Sequence, residues 1–198
     1  MPRAKNYKRD ELLDLAIELF RRQGYAGTST QELVETLGVN RKSMYAEFGS
    51  KQDLFEAALE RYSAVHLTRV LAPVENPKAN AETIRHAFAG YASAIDSRYN
   101  GLGCLIANTA VERAALDPGS AKFVDAYLDR LTKGFRCALE NARADGDLAE
   151  GVDMDDLAAF FAMSVVGISA LIRAKAPPEQ VYAAGRAVVA PLGVTSAT

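Results

Sequence analysis

The sequence predicts an all-α fold of about nine helices. Three observations carry this. Apolar residues recur at three- and four-residue intervals throughout, and no period-two alternation persists, which is the signature of helices and not of strands. Residues able to accept hydrogen bonds from free helix amides, Ser29, Asn40 and Ser50 among them, stand immediately before such runs. Glycine and proline mark the ends, as at Gly24, Gly38 and Pro73. With 49% hydrophobic residues in a chain of 198, there is enough apolar material for a packed core, which argues against a disordered chain.

The first helix is expected from about Lys8 to Gly24, with Leu12, Leu15, Ala16, Leu19 and Phe20 on one face. Ser29 and Glu32 then form an SxxE capping box, in which the hydroxyl takes the third helical amide and the carboxylate reaches back to the cap. The short helix so opened carries Leu33, Val34 and Leu37, and Gly38 supplies its left-handed stop. Asn40 caps a third, equally short helix. Ser50, three residues before Asp53, caps a fourth that runs to about Leu71 before Pro73. After the connector VENPKAN, helical segments are expected at 81–97, 102–115, 119–145, 153–174 and 178–190, broken most clearly by DPGS at 117–120 and DGDLAEGVD at 145–153. The final GVTSAT reads as loose.

Net charge is only −2, but it divides unevenly: residues 1–52 hold 9 Lys/Arg against 7 Asp/Glu, and residues 53–198 hold 14 against 18. The mild N-terminal excess of positive charge points to a polyanionic partner. Cys104 and Cys137 stand in no metal-ligand spacing, so no metal site or cofactor is expected, and reduced thiols fit a cytoplasmic protein. The opening MPRAKNYKRDELLDLA lacks the apolar centre of a secretory signal. The longest apolar run, Leu157 to Ile172, is short for a membrane span, so no membrane is expected and the run reads as a helix buried on more than one side.

The stretch GVNRKSMYAEFGSKQDLF, residues 38–55, contains the most informative helix. At about 100° per residue, Met44 and Phe48 fall at about 200° and 240° from Lys42 and make one apolar edge. Lys42, Ser43 and Ala46, flanked by Tyr45 and Glu47, fill the other side. A helix, a tight turn and a second helix with small polar side chains outward is the helix-turn-helix layout for major-groove reading. Thr28, Ser29 and Thr30 at one neighbouring helix start, and Ser50 and Lys51 at another, are suited to phosphate, because free amides there favour anions.

The segment GYAGTSTQELVETLGVNRKSMYAEFGSKQDLF, residues 24–55, resembles the DNA-binding segment of the TetR/AcrR (tetracycline-repressor-like) family of bacterial transcriptional regulators. The matching positions run from Gly24 through Thr28, Gly38, Val39, Tyr45, Phe48, Lys51 and Leu54 to Phe55 without a gap. GCLIANTAVE, residues 103–112, resembles a stretch in one subgroup. The resemblance implies a three-helix DNA-binding domain over 1–50 and a helical effector-binding and dimerisation domain over 51–198. It implies that Gln31, Arg41, Lys42, Ser43, Tyr45 and Glu47 face the groove of a double-stranded operator, while Thr30, Tyr45 and Lys51 hold phosphates. Glu47 departs from the family pattern. It either accepts from a cytosine amino group or forms a surface pair with Lys51 or Arg41.

The larger domain is expected to enclose a small-molecule effector and to pair with a second copy. Its polar or aromatic residues on apolar faces, His66, His86, Tyr91, Cys104, Asn108, Glu112, Tyr127 and Phe160, are pocket candidates, and each is alternatively a satisfied core residue. Cys104, behind two glycines in GLGC, is either an inert buried thiol or a sensor of electrophiles. Phe161, Val165, Ser169, Ile172, Val181 and Val188 are the candidate dimer interface, or else complete the monomer core. The expected function is a homodimeric, ligand-released repressor on a palindromic operator. An enzyme is disfavoured, because no nucleophile, base and orienting group occur together. A helical adaptor that binds protein and not DNA, and an activator in place of a repressor, are the remaining readings.

Overall fold

The structure, a computed structural model, describes residues 8–193; the opening seven residues and the part of the expected loose tail from residue 194 on lie outside the described residues. Within them the chain is helical with no strand, apart from one isolated bridge between Leu148 and Leu192. The helices are α1 (Arg9–Gly27), α2 (Thr30–Leu37), α3 (Arg41–Phe48), α4 (Lys51–Arg61, continuing through Tyr62–Leu67 and Thr68–Leu71), α5 (Ala81–Ser93), α6 (Leu105–Glu112), α7 (Pro118–Ala144), α8 (Met154–Arg173) and α9 (Pro178–Val188). α1 to α3 pack with the start of α4, and α5 to α9 form the larger bundle around α7 and α8.

The expected caps form as the residue chemistry demands. Ser29 Oγ accepts from the Glu32 amide at 3.2 Å and Glu32 Oε2 accepts from the Ser29 amide at 2.8 Å. Gly38 adopts φ 64° and ends α2. Asn40 Oδ1 takes the Ser43 amide at 2.8 Å, and Ser50 and Asp53 form a second capping box. Gly24 breaks the helical backbone of α1 with φ 79° and ψ 172°, a region almost reserved for glycine, so the regular helix ends there and Tyr25–Gly27 turn toward α2.

Two expectations about buried faces differ from the structure. In α1, Leu13 and Ile17 are buried with Leu12, Ala16 and Phe20, whereas Leu15 is exposed. α8, expected to be buried on more than one side, has a single inward stripe of Leu157, Ala158, Phe161, Ala162, Val165, Ile168, Ser169 and Ile172. The opposite side, with Ala159, Phe160, Met163, Gly167 and Ala170, is exposed. α8 is long and apolar enough to span a membrane by length and composition alone, yet its inward side is packed in the bundle. A helix apolar nearly all round carries no phase in its sequence, so only its neighbours decide which side goes in.

Cap chemistry makes the fold acid-sensitive. Asp117 caps α7 by accepting from the Ser120 amide and hydroxyl and from Gln52, and these bonds, Ser120's side chain foremost, lower its pKa to about 2. Glu32 is likewise held below its ordinary value by its bonds to Ser29. A carboxyl depressed in the folded state contributes stability that is present above its unfolded value and is lost as pH falls through the folded one. Urea midpoints should therefore drop between pH 4 and pH 2, and Asp117→Asn, which keeps a cap but cannot titrate, should flatten that slope. Gly24→Ala should cost about 1–3 kcal/mol in the same assay at neutral pH, because its Cβ would also lie 2.5 Å from Glu112 Oε2.

Candidate functional site

α3 turns two side chains inward: Met44 and Phe48 join Leu33 and Leu37 in the core. Arg9 closes over this edge, with its guanidinium carbon 4.6 Å from the Phe48 ring centroid. Arg41, Lys42, Tyr45 and Ala46 are exposed and Ser43 is half-buried, so the outward face is small, polar and cationic as its helical spacing dictates. Ser29 and Gln31 are exposed at the start of α2 and Thr30 is half-buried beside them. Gln31 Nε2 donates to Glu35 at 2.7 Å.

Three expected contacts are placed differently. Thr28 is 1% exposed and its hydroxyl donates to Gly24 O at 2.6 Å, so it braces the turn after Gly24 and does not face outward. Lys51 donates to Tyr25 O at 2.6 Å with its ammonium 4.2 Å from the Tyr25 ring centroid, and burial lowers its pKa. Glu47 pairs with Arg9 at 3.2 Å rather than with Lys51 or Arg41, because the start of α1 crosses the end of α3.

In the larger bundle a cavity of about 730 Å³ opens between α1, α4, α5, α7, α8 and the Gly103–Cys104 turn before α6. Five of the pocket candidates, His66, His86, Tyr91, Cys104 and Tyr127, line it. Burial raises the pKa of Tyr62, Tyr91 and Tyr127, so these hydroxyls stay protonated donors, and burial lowers that of His66. α4 enters the cavity through its Tyr62–Leu67 stretch, which is π-helical. Such interruptions of an α-helix concentrate at functional sites.

The other three candidates do not line it. Asn108 Nδ2 donates to Leu102 O at 2.9 Å and pins the glycine-rich turn. Glu112 accepts from the Tyr25 amide at 3.1 Å and the Ala26 amide at 2.7 Å, joining the end of α6 to the turn after α1. Phe160 is 48% exposed on the outer side of α8. The dimer candidates are corrected in the opposite sense: Phe161, Val165, Ser169, Ile172, Val181 and Val188 are all buried within one chain, and Val165, Ser169 and Ile172 line the cavity. Arg21, Tyr62 and Tyr99 in the cavity wall were missed. Arg21 was legible in principle, since it follows Ile17 and Phe20 at helical spacing on the face that Gly24 completes.

Packed elements connect the cavity to the helix-turn-helix. α4 runs from the capping box beside α3 into the cavity wall. α6 begins at Cys104, whose amide donates to Ser169 Oγ at 2.7 Å, and ends at Glu112 on the Tyr25–Ala26 turn. The next residue, Arg113, stacks on Tyr25 at 3.7 Å and donates to Gln52 of α4. Both cysteines are free thiols.

Comparison with known proteins agrees with this geometry. The family model described as bacterial regulatory proteins, tetR family, matches residues 12–58, and that of the tetracyclin repressor-like C-terminal domain matches residues 80–188. The chain is 31% identical to the HTH-type transcriptional regulator YezE of Bacillus subtilis (strain 168) over 89% of its own length and 91% of the relative's. It is 30% identical to the HTH-type transcriptional repressor ComR of Escherichia coli (strain K12), over 90% and 85% respectively. Among solved structures, a cysteine mutant of the TetR family regulator CifR, complexed with 26 bp double-strand operator DNA, superposes with a TM-score of 0.82 at 26% identity, covering 96% of this chain and 99% of that one. The chain belongs to the tetR family of bacterial regulatory proteins, helix-turn-helix transcriptional regulators and not enzymes.

Proposed function

We propose that this protein is a repressor that binds a palindromic DNA operator as a homodimer in the cytoplasm and is released by a small-molecule effector. The observation that carries the reading is the outward face of α3, held by Met44 and Phe48 so that Arg41, Lys42, Ser43 and Tyr45 project together. Residues 1–50 hold this reading head and residues 51–198 hold the effector and dimer functions. Ser29, Thr30 and Gln31 flank the face and suit phosphate or groove contacts. The CifR cysteine mutant, which superposes on this chain with a TM-score of 0.82, is complexed with operator DNA.

The dimer surface proposed is the outer side of α8 with its neighbour α9. Phe160 and Met163, 48% and 62% exposed, stand there among Ala159, Gly167 and Ala170, and α9 adds Ala183 and Ala187. Large apolar groups ringed by small ones are what close helix packing between two copies needs. A two-fold axis through this face would set two α3 helices about 34 Å apart, one turn of DNA. An effector that binds tenfold tighter to a dimer off that spacing shifts operator affinity by about 1.4 kcal/mol, and α4 and α6 are the elements able to transmit it.

Lys42→Ala should weaken binding to an operator selected from a random duplex library by about 1–3 kcal/mol, with Tyr45→Phe smaller in the same direction. Wild-type affinity should fall steeply with salt. Unchanged affinity in both variants, or salt-independent binding, would remove α3 from the interface and favour protein recognition. In sedimentation, Met163→Glu should convert dimer to monomer with an unchanged circular dichroism spectrum; a persistent dimer would place the interface elsewhere.

A further inference from the structure

Arg21 is a buried cation in the cavity wall for which the described residues supply no counter-charge. It is 7% exposed. Its Nε donates to Gly103 O at 3.0 Å and its Nη2 donates to the same oxygen, so two donors share one neutral acceptor. The guanidinium carbon lies 5.6 Å and 5.2 Å from the ring centroids of Tyr62 and Tyr99. Among the described residues Nη1 makes no hydrogen bond and no carboxylate pairs with the group, whereas Arg61 is paired with Asp10 and Asp14 and Arg130 with Glu75. Burying an ionised group without an opposite charge is costly, and one carbonyl and two ring faces offset only part of that cost.

The remainder of the wall has the same bias. Among the described residues no aspartate or glutamate lines the cavity, while Arg69 adds a second positive charge from an exposed position. The Tyr91 hydroxyl is buried and, among the described residues, has no hydrogen-bond partner. It is held protonated by burial, so it is a donor awaiting an acceptor. The remaining surface is mostly apolar, from Leu67, Val70, Ala87, Val165, Ile168 and Ile172. At about 730 Å³ the space suits a drug-sized molecule.

We propose that the cavity is selective for an amphipathic carboxylate, with an apolar aryl or acyl body among the aliphatic side chains and its anionic head on the Arg21 guanidinium and the Tyr91 hydroxyl. The proposal rests on the reading of this cavity as the effector site and names the chemistry of that effector. A cation meets the like charge of Arg21 and Arg69, and the Tyr62 and Tyr99 rings are already engaged by Arg21. A hydrocarbon leaves both donors unanswered. A phosphate dianion asks for more than one buried cation and one hydroxyl. A monoanionic carboxylate matches the guanidinium fork in charge and in geometry.

The test titrates the full-length protein with three probes that share one apolar body: 2-naphthoate, 2-naphthalenemethanol and 2-naphthylmethylammonium. The carboxylate is expected to bind at least about tenfold tighter than the alcohol, and the ammonium weakest. Arg21→Gln, which keeps a donor for Gly103 O but no charge, should erase the preference for the carboxylate while leaving alcohol binding within about twofold. Arg21→Lys, which keeps the charge, should retain part of it, and Tyr91→Phe should reduce it.

Equal or tighter binding of the alcohol or the ammonium to wild type overturns the proposal, as does a preference that survives in folded Arg21→Gln, or failure of all three probes to bind. If Arg21→Gln does not fold, the wild-type series and Tyr91→Phe decide. Operator binding measured in parallel separates the two readings. Selective carboxylate binding without operator release keeps the site and removes its regulatory role, while release by a ligand with no carboxylate preference removes only the present inference.

Discussion

Eight residues do not make a stable helix in water, and α3 exists because its apolar edge is buried. Helix nucleation carries a factor of about 10⁻³, or roughly 4 kcal/mol, which a two-turn helix cannot recover from its own hydrogen bonds. Fully burying a side chain the size of Met44 or Phe48 contributes about 1.5–3 kcal/mol, so the pair is of the size needed. Asn40 then satisfies an orphan amide at the start, and Arg9 covers Phe48 at the end. The consequence is geometric. Once Met44 and Phe48 are committed inward, the period of the helix leaves Lys42, Ser43, Tyr45 and Ala46 no choice but the outward side. The proposed reading face is a by-product of core packing.

The same logic joins the small unit to the large one. Gly24 takes a backbone conformation that leaves the Tyr25 and Ala26 amides pointing away from α1, and the Glu112 carboxylate accepts both. There is no room at Gly24 for a Cβ beside that carboxylate. Arg113 and Lys51 close on Tyr25, the latter donating to its carbonyl. Two rods therefore run from the cavity to the helix-turn-helix: α4, which carries Tyr62 and His66 into the wall, and α6, whose first turn lies at Cys104 and whose last residue is Glu112. In the proposed repressor a change of cavity shape would act on both rods, because packed helices shift as bodies and do not deform continuously.

Most of the fold was legible in the chain because its signals are local. Ser29, Asn40 and Ser50 act on amides three residues away, Gly38 needs only its own φ, and Pro73 cannot donate wherever it is placed. The outward residues of α3 were legible for the same reason, since two apolar positions on a short helix set its phase. The errors occur where the deciding partner is distant. Leu13 and Leu15 are equally apolar, and only the position of α4 across α1 puts one inside. Glu47 meets Arg9, 38 positions away. Glu112 and Asn108 share a face, as their spacing says, but one turns to the α1–α2 turn and the other to Leu102, so neither enters the cavity.

By itself the sequence determined the helices, with their starts and stops to within a few residues, the helix-turn-helix and the family, because each depends on residue chemistry within a few positions or on a run of some thirty. Tertiary structure decided which side of α8 is core, that Phe160 stands outside while Phe161 and Val165 stand inside, and that Arg21 faces a cavity without a carboxylate beside it. The physical reason is one of range. Capping and periodicity are settled within a helical turn, whereas burial and charge pairing are properties of whatever arrives from elsewhere in the chain.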